Sequence, residues 1–90
     1  MDRFTGRCWL DWWANSGTLL DSIEVAVVIK AVDAGWDASG HLVDDSTRAA
    51  FQFLCDLDPV FDLRFADGST VLVTVTPSPG HSFTLTEYTD

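Results

Sequence analysis

Basic residues are scarce in this chain, with five Lys and Arg against fourteen Asp and Glu, a formal charge of -9 at neutral pH. A field of that sign repels phosphate backbones, so direct nucleic-acid binding is not expected. A basic protein partner, or occupation of a nucleic-acid site by mimicry, stays compatible with it. Cysteine is nearly absent: Cys8 and Cys55 have no neighbour at CxxC spacing. Neither a disulfide framework nor a zinc site is indicated, and two free core thiols in a cytoplasmic protein are the expectation. The longest apolar stretch, Val25 to Ile29, cannot span a bilayer, and no basic-then-apolar leader is visible, so no membrane association is expected.

Catalytic signatures are missing as well. There is no GxSxG, HExxH, Walker loop or GxGxxG, and the two histidines, His41 and His81, lie at no informative spacing from either thiol. Asp44 and Asp45 sit where a helix N-terminus favours negative charge. Asp56, Asp58 and Asp62 lack the central glycine and closing glutamate of an EF-hand loop. The expectation is a protein with no catalytic residue, no metal and no cofactor.

What the chain does hold is apolar material for one core: 47% hydrophobic residues, including six Phe and four Trp among 90 residues. That length supports a single domain over residues 1–90. From Arg3 to Trp13, Phe4, Cys8, Leu10 and Trp12 share one parity, while Arg7, Trp9, Asp11 and Trp13 share the other. This is the alternation of a strand with one face on a core. Asn15-Ser16-Gly17 reads as a turn.

Residues 18–34 satisfy two patterns. Leu20, Ile23, Val27, Ala31 and Ala34 recur at helical spacing, whereas Ile23, Val25, Val27 and Ile29 alternate as in a strand. Length and the terminal Gly35 favour the helix. Residues 35–44 then read as a loop. A second helix begins after Asp44 or Asp45, carries a stripe of Ala50, Phe53, Leu54 and Leu57, and ends before Pro59.

The last third alternates as three strands, with Phe61, Leu63 and Phe65, then Val71, Val73 and Val75, then Phe83 and Leu85 on the inner parity. A three-residue turn, Ala66-Asp67-Gly68, pairs Leu63 with Val71 and Phe61 with Val73 and keeps these residues on one face. The expected fold is therefore α+β, ordered β-α-α-β-β-β, a four-stranded mainly antiparallel sheet with two helices packed on one face.

The outer parity of that sheet carries Arg7, Trp9, Trp13, Arg64 and Tyr88 among threonines and aspartates. Aromatic and Arg side chains dominate binding hot spots, so these five are the candidate binding residues. The expected function is a non-catalytic protein-protein interaction module, a small acidic adaptor, regulator or immunity-type protein, binding another chain or a homodimer mate through the open sheet face or its acidic surface. Two alternatives stand beside it: a small-molecule or carbohydrate-binding domain or small enzyme with a pocket between sheet and helices, and an acidic nucleic-acid mimic.

Overall fold

The computed structural model describes residues 3–15, 17–32, 35–79 and 82–88. They form six antiparallel strands closed into a barrel, and one short helix. β1 (Arg3–Asn15), β2 (Thr18–Val32) and β3 (Gly35–Leu42) make one meander; β4 (Val60–Arg64), β5 (Thr70–Pro77) and β6 (Ser82–Glu87) make the other. A 3-10 turn over Asp45–Thr47 and the helix α1 (Arg48–Leu57) connect them. Around the barrel the order is β1-β2-β3-β6-β5-β4, with β4 returning to β1 through Leu10↔Leu63 and β3 meeting β6 through Gly40↔Phe83.

The expected α+β fold, a four-stranded sheet with two helices packed on one face, is thus incorrect, and so is the open sheet face. Residues 18–32 are a strand. Its inward side chains Ile23, Val25 and Val27 are fully buried, and the β-branched residues that dominate the segment fit a pleated surface better than a helix turn. Ala34, the last member of the supposed helical stripe, lies outside the described residues. Length misled because β2 serves two partners, pairing with β1 along nearly its whole course and with β3 from Val25 onward. Gly35 stops no helix; it opens β3 at φ 139°, a region that glycine enters freely.

The loop expected over residues 35–44 is mostly strand β3. Its inward positions are Trp36, Ala38, Gly40 and Leu42, and the small residues among them erase the hydrophobic alternation. Gly40 is small of necessity. A Cβ there would stand 2.6 Å from the Ala26 carbonyl oxygen and 2.9 Å from the Phe83 ring.

The second helix is present over Arg48–Leu57, and Asp44 caps the preceding turn by accepting from the Ser46 amide at 3.0 Å. Its buried stripe is rotated from the expected one. Phe51, Leu54 and Cys55 face inward, while Phe53 and Leu57 stay 61% and 57% exposed. Phe51 lies 5.3 Å from the Phe83 ring and 6.2 Å from Phe61, so the helix closes one barrel end with an aromatic plug. At the same end the Trp12 indole donates to the Asp58 carbonyl at 3.0 Å and ties β1 to the helix exit.

The C-terminal meander has the expected register, Leu63↔Val71 and Phe61↔Val73. Phe65 and Ser69 close the three-residue turn, the Phe65 amide donating to the Ser69 carbonyl at 2.8 Å, with Gly68 at φ 92°.

Candidate functional site

Because the barrel is closed, the outer parity of its strands becomes a continuous convex surface. Register places Asp11, Asp62 and Leu72 in one row across β1, β4 and β5, continued by Tyr88 just beyond the end of β6. Asp11↔Asp62 and Asp62↔Leu72 are paired positions, and the Tyr88 amide donates to the Leu72 carbonyl at 3.1 Å. Trp13 stands two residues beyond Asp11 on β1, where a bulge sets it opposite Leu19. Trp13, Leu72 and Tyr88 are 42%, 47% and 38% exposed. Large apolar side chains exposed on one face of a charged protein are the kind of patch that marks an interaction surface.

A groove of about 450 Å³ runs along this row, walled by Trp13, Val60 and Leu72, with Asp11, Asp58 and Asp62 in its lining. Its carboxylates differ in state. Asp11 is only 5% exposed although it points outward, because Arg64 covers it: Nε donates to Oδ2 at 2.9 Å, and the Ser22 hydroxyl donates to Oδ1 at 2.6 Å. Asp62 is paired with no cation among the described residues. Partial burial and the neighbouring Asp11 charge push its carboxyl above the usual range, against a hydrogen bond from the Trp13 side chain that pulls it down. One edge of the groove is set by Asp58, whose Oδ1 accepts from the Val60 amide at 3.2 Å.

The five residues singled out from the sequence do not form one site. Tyr88 lies on the row and Trp13 beside it, on the groove wall. Arg64 and Trp9 are engaged with one another, the guanidinium 5.0 Å from the indole centre, and Trp9 is half-buried beneath it. Arg7 pairs with Glu24 at 3.0 Å on the β1–β2 surface and faces a different shallow groove, which His41 also lines. Sequence reasoning passed over Leu72 and Asp62 as site residues. The signal was present in the strand register, which puts an apolar Leu72 on the outer parity beside Asp62.

The other candidates behave as structural groups. Cys8 and Cys55 are free and buried, and burial with the neighbouring Asp56 charge pushes the Cys55 thiol up to about 11. Phe51, Leu54, Phe61 and Phe83 pack into the core between the helix and the barrel strands. His81 lies outside the described residues. No three His, Cys, Asp or Glu among the described residues are placed to share a metal ion. No helix among them is long and apolar enough to cross a membrane.

At the barrel end away from the helix, Phe4, Ile29, Trp36, Phe65 and Val71 line an apolar cup of about 570 Å³. Phe4 meets Phe65 edge to face at 5.4 Å. Comparison with known protein families, with curated proteins and with solved structures gave no match.

Proposed function

We propose that this is a non-catalytic protein-binding module that engages a second polypeptide through the outer face of β1, β4 and β5 and the end of β6. The observation that carries the reading is the set of exposed Trp13, Leu72 and Tyr88 on this face, with the Asp62 carboxylate, which no cation pairs among the described residues, beside them. Aromatic anchors flanked by charge are the usual composition of a binding hot spot. A net charge of -9 selects for a basic partner and speeds its encounter. Two buried free thiols suit a reducing compartment, and the cytoplasm is the proposed location.

The test compares what the wild-type chain and a Trp13→Ala/Leu72→Ser variant retain from the native host, with sedimentation of each alone to detect self-association. Loss of a discrete partner, or of a dimer, in the variant supports the reading. An identical set of partners and an identical mass in both would refute it.

A second reading, capture of an apolar small molecule, is favoured by the cup at the open barrel end, whose volume lies in the range of ligand sites. Quenching of Trp36 fluorescence by an apolar ligand, absent in a Trp36→Leu variant, is its test.

A further inference from the structure

We propose that the groove beside Trp13 receives an arginine side chain of the partner, its guanidinium stacked on the Trp13 indole and bonded to the Asp62 carboxylate. This deepens, and rests on, the reading of that face as a protein-binding surface.

The molecule already makes this arrangement once with its own side chains. On β1, Trp9 and Asp11 flank Arg64 of β4: the guanidinium lies 5.0 Å over the Trp9 ring and donates through Nε to Asp11 at 2.9 Å. Further along the same pair of strands, Trp13 of β1 and Asp62 of β4 again set an indole beside a carboxylate, both lining one groove. Among the described residues no arginine pairs with Asp62. Arg7 is engaged with Glu24 and Arg64 with Asp11. Arg3 and Lys30 face one another across β1 and β2 toward the opposite barrel end, and Arg48 opens the helix.

Charge and shape agree on the occupant. Asp62 lies next to Asp11, whose charge already opposes its ionisation, so an incoming cation relieves a repulsion as well as forming a pair. Val60 and Leu72 give the groove apolar walls suited to the aliphatic stem of a long side chain. Arginine fits better than lysine because a planar guanidinium can stack on an indole and bond a carboxylate in its own plane at the same time.

The experiment titrates the isotope-labelled protein with the peptide acetyl-Gly-Arg-Gly-amide and with its citrulline counterpart, a neutral isostere, following the indole N–H resonances. The expected result is a saturable shift of the Trp13 indole by the arginine peptide and at least about tenfold weaker binding of the citrulline peptide, the loss expected when a charge-assisted bond is removed. Asp62→Asn, which keeps shape and an acceptor for the indole, should weaken the arginine peptide similarly while its amide spectrum stays folded. A Trp13 resonance that ignores the arginine peptide, or equal binding of both peptides, overturns the assignment. If that happens while Leu72→Ser still abolishes association with the partner, only the occupant is wrong. If the Leu72 substitution also changes nothing, the face itself is not an interface.

Discussion

The guanidinium of Arg64 lies over the Trp9 indole at 5.0 Å while its Nε bonds the Asp11 carboxylate, which is almost wholly withdrawn from water. This arrangement fastens β4 to β1, the seam that closes the barrel. The Arg7–Glu24 pair is equally short but far more exposed, at 66% and 38%. Exposed pairs contribute little to stability, whereas a charge withdrawn from water depends on its partner. Double-mutant cycles should therefore give a larger coupling for Arg64 with Asp11 than for Arg7 with Glu24. Equal couplings would mean that the seam is held by its backbone bonds alone.

Asp62 should carry a small stability penalty. Its folded-state pKa is raised above the ordinary 3.8 by burial and by Asp11, so its stabilising contribution belongs to the protonated form. That contribution is present in acid and lost as pH rises through the folded value. Asp62→Asn should stabilise the fold at neutral pH by about 0.5 kcal/mol, a typical size for a partly exposed charge interaction, and the gain should vanish in acid. Urea unfolding of both proteins across the acid range checks this; a destabilised Asn variant at neutral pH would contradict it.

Gly40 is where Phe83 and the Ala26 carbonyl approach the β3 backbone too closely for any side chain. Gly40→Ala should cost about 1 to 3 kcal/mol through forced displacement of that packing. Gly17→Ala is the matched control, because nothing closer than 3.7 Å meets a Cβ there. Thermal unfolding of the two variants should separate them clearly, and equal melting temperatures would argue against the close approach.

Both thiols should be present and slow. Cys55, with its pKa near 11, holds only about one part in a thousand or less as thiolate at pH 8. Thiol titration of the native protein should therefore lag far behind that of the unfolded chain, where two groups react. Fast labelling in the native state would mean that the helix end opens.

The C-terminal half was legible because its strands alternate cleanly and Asp67-Gly68 fixes one turn; the register Leu63↔Val71 follows from keeping Phe61, Leu63, Val71 and Val73 on one face. The N-terminal half was obscured by two tertiary effects. β2 is longer than an ordinary strand because it is shared between neighbours in a closed barrel, and β3 carries Gly40 inward because Phe83 and the Ala26 carbonyl claim the space. Neither effect leaves a local mark in the sequence, since each depends on a strand distant along the chain. The candidate site was half legible for the same reason. Parity places Trp13 outward, but only barrel closure brings it beside Asp62 and aligns Leu72 with Tyr88.

Site-specific photocrosslinking in the native host tests the binding face most directly. A benzophenone side chain is placed at Leu72, on the row, or at Ser39, also exposed, on β3, the strand opposite β4 in the ring. The account expects a discrete crosslinked adduct, either with a basic protein or with a second copy of this chain, from position 72 and none from position 39. No adduct at 72, or the same adducts from both positions, would contradict it.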